Sequence, residues 1–275
     1  MNFLDNIASP QISKKTFFHE FTENFEQKKP KIMIVGLCGG QGGGKTKLSK
    51  ILCKNIPNSA IIEERSYFKT ITSKRKLSYD IEPLFDEVGG YSKDRKLFVV
   101  ELSNPQSYDY EKFYQDLKSL KEGKPASIRI FKEDLGAYTG DECVIDPNEI
   151  SLVILEGYFL FGDKNVRDLI DLKIYVEIDD DIRLSRLLVN ENKFLKNNSF
   201  AVMNFFMIYK NYIKPSYEQY IAPTKQRAQL ILLNYTIRDD EVIDGDETFE
   251  SLIVMLKSFV KQRTTQEKVN TKSNK

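Results

Sequence analysis

Short, nearly continuous apolar runs recur along the chain: Ile32 to Val35, Ala60 to Ile62, Leu152 to Leu155, Leu172 to Val176 and Leu230 to Leu233. Runs that are apolar at successive positions, and not only at alternate ones, predict strands buried on both faces, as in a parallel sheet. Between them the spacing changes to three and four residues, the period of a helix face. Leu48, Ile51 and Leu52 give one such pattern; Phe113, Leu117 and Leu120 give another, closed by Gly123 as a C-cap. Ile182 to Leu195 forms a third. The aromatic stretch from Phe200 to Tyr220 forms a fourth, interrupted by Pro215, and Thr248 to Val260 closes the series. Strands alternating with helices predict an α/β fold: a five-stranded parallel sheet flanked by helices, joined by right-handed crossovers. Ahead of it, Phe17, Phe21 and Phe25 predict an amphipathic helical extension over 1–29, either a strut or a partner-binding helix, ended by Pro30. Residues 263–275 are polar and Lys-rich and are expected to be disordered, which leaves 30–262 as the main domain.

Composition narrows the function classes. With 275 residues the chain has ample material for a core. Lys and Arg total 41 against 40 Asp and Glu, so no overall field points to nucleic acid or to an anionic membrane. No apolar stretch approaches the roughly 20 residues that cross a bilayer. Cys38, Cys53 and Cys143 are far apart and form no C-x-x-C pair, and the first residues lack the layout of a secretory leader, so a cytoplasmic setting is expected. His19 is the single histidine, which argues against histidine triads and histidine metal sites.

The chemistry concentrates after the first strand. Six of the 14 glycines fall between Gly36 and Gly44 in VGLCGGQGGGKTKLSK, where Gly39 to Thr46 fits G-x-x-x-x-G-K-[ST] between a strand and a helix. Glycines let backbone N–H groups turn inward around phosphate oxygens, and the helix start adds its dipole. The loop of Gly39, Gly40, Gln41, Gly42, Gly43, Gly44, Lys45, Thr46 and Lys47 is therefore expected to cradle the phosphates of a nucleoside triphosphate. Lys45 would place its charge on the β and γ phosphates, and the Thr46 hydroxyl would ligate Mg²⁺. Glu156 ends the VILEG run, and in an open sheet ligands bind at the carboxyl ends of strands, so it can hold Mg²⁺ as well. The pattern is that of a P-loop NTPase, and no Asn-Lys-x-Asp motif marks it as a GTPase.

Several longer segments carry a resemblance: GGQGGGKT, SYFK (66–69), SYDYEKF (107–113), VILEGYFLF (153–161), VRDLIDLKIYVEIDDDIRLSR (166–186) and KPSYEQYIAPTKQRA (214–228). Together they resemble the uridine kinase and phosphoribulokinase family, in particular its uridine–cytidine kinase branch. That resemblance implies a nucleoside monophosphate kinase-like fold with a small lid, ATP with Mg²⁺, and phosphorylation of the 5′-hydroxyl of a nucleoside-like acceptor. A homo-oligomer is compatible with it. It also implies roles for Arg183 and Arg186, whose spacing puts both on one helical face with Asn190; a solvated charged stripe is the competing reading. Acceptor contacts are implied for Tyr67, Asp109 and Phe131, although Asp109 could equally cap the helix that follows it.

The chain departs from the family on the acceptor side. Ile62 to Phe68 places Arg65 where the family has the Asp expected to act as base, and a one-residue slip presents Glu64 instead. Arginine cannot accept a proton at neutral pH, so Glu64 takes the catalytic role or activity is weakened. The pyrimidine-reading segment is IRIFKEDLGAY without a histidine, and the lid offers Lys193 and Lys196 in place of arginines. Residues 77–104 align with nothing in the family. A kinase of nucleosides or other small alcohols is the leading expectation, and an ATP-binding regulator with an impaired acceptor site is the alternative.

Overall fold

A computed structural model describes residues 32–69, 93–132, 137–195, 198–234, 237–238, 241–242 and 249–261. The expected helical extension over 1–29, the tail over 263–275, residues 77–92, the Lys193 side chain and Lys196 lie outside that description. One compact unit spans Lys31–Ile243, and the helix 249–261 belongs to a second unit. By itself that helix buries Phe249, Leu252, Met255, Leu256 and Val260, a three- and four-residue spacing.

In chain order the main unit runs β1 (Met33–Cys38), α1 (Lys45–Asn55), β2 (Ser59–Glu63), α2 (Lys93–Leu102) and α3 (Tyr110–Lys121). It continues with β3 (Ala126–Lys132), β4 (Ala137–Ile145), β5 (Leu152–Gly157), α4 (Lys164–Leu169), β6 (Leu172–Glu177), α5 (Asp180–Leu195), α6 (Ser199–Ile208) and β7 (Leu230–Leu233). The five predicted strands form one parallel sheet in the order β2-β5-β1-β6-β7. Because the chain builds β2 and β5 on one side of the central β1 before crossing to β6 and β7 on the other, the carboxyl end of β1 is a switch point of the sheet, where a crevice opens.

Among the described residues, buried clusters on the sheet and around the aromatic helices hold the unit together. Ile34, Ile62, Val153 and Leu155 of the sheet meet Phe113, Leu117 and Leu120 of α3. Phe68, Phe98, Tyr108, Phe131, Phe159, Phe205 and Ile208 form another. Helix α3 ends as its sequence predicts: Gly123 takes φ +78, and the Lys124 N–H reaches back to the Ser119 carbonyl at 2.8 Å.

Three features differ from the sequence expectation. The segment 126–145 is an antiparallel hairpin, β3-β4, with a register shift between Arg129 and Phe131. The stretch without a family counterpart contributes α2, whose Phe98, Val99, Val100 and Leu102 are core residues. Pro215 does not interrupt the aromatic helix. The backbone stays helical through it, with π turns over Tyr209–Ile213 and Tyr217–Ile221 on either side. Wider turns let the chain pass a residue that lacks an N–H donor. No helix among the described residues is long and apolar enough to cross a membrane.

Candidate active site

After Cys38 the chain turns through the glycines into α1. Gly42 and Gly44 take φ +74 and +82, a left-handed conformation that side chains resist. A Cβ on Gly42 would also lie 2.6 Å from the Arg183 carbonyl oxygen, and one on Gly44 2.3 Å from the Asn234 amide nitrogen. Asn234 Nδ2 donates to the Gly43 carbonyl at 2.6 Å, tying the loop to the end of β7. Gln41 Nε2 donates to Ser103 Oγ at 3.0 Å, tying it to the end of α2. The buried Lys45 ammonium donates to the Gly39 and Gly40 carbonyls at 2.9 and 2.8 Å and lies 4.4 Å over the Tyr158 ring. Burial pulls its pKa down to about 8, against the pull of Glu156, Cys38 and Glu64.

The sheet register brings the acids together. Glu63 and Glu156 are neighbours across β2 and β5, at the carboxyl edge of the sheet. Glu156 Oε1 accepts from the Thr46 hydroxyl at 2.9 Å, and Oε2 from Ser49 at 3.1 Å. Burial raises the pKa of Glu156, and Glu63 adds to this, while Arg65, Lys45 and Thr46 oppose it. Arg65 Nη2 stands 3.0 Å from Glu63 Oε2 and 3.6 Å from Glu156 Oε1. Burial works against the Arg65 charge, but Tyr158, Glu63 and Glu156 hold its pKa above the ordinary value.

A 3₁₀ turn over Glu64–Tyr67 directs Glu64 inward. Its Oε2 accepts from the backbone N–H groups of Tyr158 and Phe159 at 2.6 and 3.1 Å, and its Oε1 from the Tyr110 hydroxyl at 3.1 Å. Burial pushes its pKa up to about 7, against the hydrogen bonds from Phe159, Tyr158 and Tyr110 and the charge of Lys45.

Lys45, Thr46, Lys47, Glu64, Arg65, Glu156, Arg186, Asn190 and Asn234 line one cavity of about 840 Å³. Arg183 does not. It lies behind the loop, donating to Asp180 Oδ1 at 2.5 Å with its guanidinium 3.6 Å over the Tyr217 ring. A second cavity of about 620 Å³ is lined by Lys69, Tyr108, Asp109, Tyr110, Glu111, Phe159 and Tyr220, among others. Asp109 both lines it and caps α3, accepting from the Lys112 N–H at 3.0 Å. Tyr67 and Phe131 line neither of these cavities: Tyr67 stacks on Phe113 at 4.2 Å, and Phe131 sits 5.2 to 6.0 Å from Tyr138, Phe68 and Phe98. Sequence reasoning missed Ser49 and Asn234. Ser49 follows Thr46 by one helical turn and was open to detection on that spacing; Asn234 reaches the loop only through the sheet.

Thr46 and Glu156 supply hard oxygen donors, the kind that hold Mg²⁺ together with substrate phosphates. No group of three or more His, Cys, Asp or Glu among the described residues could hold a metal by itself.

A family model described as "Phosphoribulokinase / Uridine kinase family" matches residues 34–239. A uridine kinase of Streptococcus agalactiae serotype III (strain NEM316) is 29% identical over 213 residues, 75% of this chain and 88% of that protein. A uridine kinase of Streptococcus pyogenes serotype M5 (strain Manfredo) is 28% identical over 212 residues, 74% of this chain and 88% of that protein. Among solved structures, a candidate fructose transport system kinase from Silicibacter sp. TM1040 aligns with a TM-score of 0.53 and 19% identity. The alignment covers 79% of this chain and 98% of that one, a likeness of fold.

Proposed function

Because the chain belongs to the phosphoribulokinase and uridine kinase family, we propose that it transfers the γ-phosphate of ATP to a hydroxyl of a nucleoside-like small molecule. The observation that carries this reading is the gathering of Lys45, Thr46, Glu64 and Glu156 around one cavity at the carboxyl edge of the sheet. Lys45 would leave the loop carbonyls for the β and γ phosphates, and the loop N–H groups would hold their oxygens. Thr46 and Glu156 would hold Mg²⁺, which neutralises charge between the β and γ phosphates. Glu64, with a pKa near neutrality, is suited to take the proton of the acceptor hydroxyl. Arg186 faces the same cavity and would stabilise charge on the transferred group. The acceptor would reach Glu64 from the side of Asp109 and Tyr110.

A second reading, a nucleotide-binding regulator without turnover, is favoured by Arg65, which takes the place of the family's acid when the segment is read without a gap. One experiment decides between them: ADP release and product mass measured with ATP, Mg²⁺ and a panel of nucleosides, sugars and hydroxy acids. Turnover with a nucleoside is expected. Nucleotide binding without any product would establish the regulator, and failure to bind ATP would overturn both.

A further inference from the structure

One tie of the phosphate loop leads away from the nucleotide site. Gln41 is buried within the loop, and its Nε2 donates to Ser103 Oγ at 3.0 Å. Ser103, the residue after α2, is buried as well, and its hydroxyl donates in turn to the Val99 carbonyl at 3.0 Å. The Ser103 carbonyl accepts from the hydroxyl of the buried Ser216, which lies between the two π turns. Those turns also approach the loop itself: a Cβ on Gly40 would lie 3.0 Å from Tyr217 Cδ2. Loop, α2 and π turns thus close a ring of contacts around Ser103.

Directly after Ser103 the chain builds part of the wall of the second cavity. Asn104 accepts from the Gln106 N–H through its side chain and from the Ser107 N–H through its carbonyl, both at 3.0 Å. Pro105 and Gln106 line the cavity. The Tyr108 hydroxyl donates back to the Leu102 carbonyl at 2.9 Å, so the wall over 104–108 is a hydrogen-bonded turn hung from the end of α2.

We propose that Gln41 is a positioning residue that joins the phosphate loop to the wall of the second cavity through Ser103, so that a nucleotide on the loop orders the surface against which an acceptor would rest. The inference rests on the nucleotide-binding reading above and deepens it. Phosphate oxygens held by the loop N–H groups restrict the backbone around Gln41, where the flanking Gly40 and Gly42 otherwise leave it freedom. Because Gln41 and Ser103 are both buried, parting them strands polar groups away from water, so the two move together. A fixed Gln41 then presents a fixed donor, and ordering the turn that follows Ser103 costs less.

Hydrogen exchange of the full chain, followed by mass spectrometry with and without a non-hydrolysable ATP analogue and Mg²⁺, tests this. In the parent, nucleotide is expected to slow exchange in the loop over 40–48 and, by at least about fivefold, in the turn over 103–108. Ser103→Ala removes the acceptor outside the loop: loop protection should persist, while the nucleotide-dependent slowing at 103–108 falls below about twofold. Gln41→Met, compared at saturating nucleotide, removes the donor at similar length and should lose the same remote slowing. The double variant leaves neither partner stranded and reads the same quantity should a single variant unfold. A bond that only braces the fold would speed exchange at 103–108 equally with and without nucleotide. That unchanged ratio would overturn the proposal, as would a parent whose loop is protected while its 103–108 amides ignore the nucleotide; either result leaves the nucleotide site standing. A parent in which nucleotide protects neither segment would overturn the site and the proposal together.

Discussion

Glu64 carries a pH signature that can be read without any substrate. Its folded pKa of about 7 lies above the ordinary glutamate value of 4.5, with burial as the first cause. A raised acid pKa means that the folded state binds the proton more tightly than the unfolded state. The contribution of Glu64 to stability is therefore fully present below pH 4.5 and is lost as pH rises towards 7. Glu64→Gln, which keeps the shape and stays neutral, should remove that slope. Urea unfolding of parent and variant between pH 4.5 and 7.5 should show Glu64→Gln gaining on the parent as pH rises, by a few kcal/mol at most. A constant difference across the window would show that Glu64 titrates normally. At this scale the sequence was partly legible. The roles expected of Lys45, Thr46 and Glu156 follow from a local motif and a strand end, and all three meet at the cavity. Arg183 and Arg186 share a helical spacing that made them look alike. Only the loop packed against α5 separates them, because the Gly42 position lies against the Arg183 backbone.

Strand ends set the positions of these groups, and Gly157 shows how closely. A Cβ at Gly157 would lie 2.5 Å from Glu64 Oε2 and 2.7 Å from Glu64 Cβ, so the end of β5 approaches the turn after β2 with no room for a side chain. Gly157→Ala should displace the Glu64 carboxylate from its two backbone donors and cost about 1–3 kcal/mol, the scale of overpacking a tight contact. The urea midpoint measures this, and the variant should also lose part of the pH slope assigned to Glu64. A midpoint equal to that of the parent would mean that the turn yields freely. The central strands β1, β5 and β6 were legible because burial on both faces writes itself as continuous apolar residues, whereas β7 reads as an apolar run although Ile231 and Leu233 are exposed. The β3-β4 hairpin was not, since much of β4 faces solvent and its residues 137–145, AYTGDECVI, show neither an apolar run nor strict alternation. Pro215 misled for a related reason. A proline predicts a helix break from local rules, whereas the flanking π turns and the buried Ile213, Ser216 and Ile221 let the helical path continue.

Over the whole molecule, charge is balanced, so recognition must come from local geometry. Two cavities meet across one hydrogen bond: Glu64 lines the first, Tyr110 lines the second, and the Tyr110 hydroxyl donates to Glu64. This arrangement suits a donor nucleotide in the first cavity and an acceptor in the second, with the acid between them. Asp109 tests the assignment because its two roles respond differently to one substitution. Asn caps a helix about as well as Asp, so Asp109→Asn should leave the thermal midpoint of the free protein unchanged. Nucleotide at a hundred times its dissociation constant should stabilise parent and variant alike by about 2.7 kcal/mol, a rise of roughly 5–10 °C for a unit of this size. An acceptor found by turnover, added on top of a non-hydrolysable ATP analogue, should raise the midpoint of the parent further. In Asp109→Asn that increment should fall to less than about half, since a neutral amide replaces a charged acceptor of hydroxyl hydrogen bonds. Differential scanning fluorimetry across the four combinations of protein and ligands reads each quantity separately. An acceptor increment that survives Asp109→Asn in full would leave Asp109 as a helix cap alone and move the acceptor out of the second cavity.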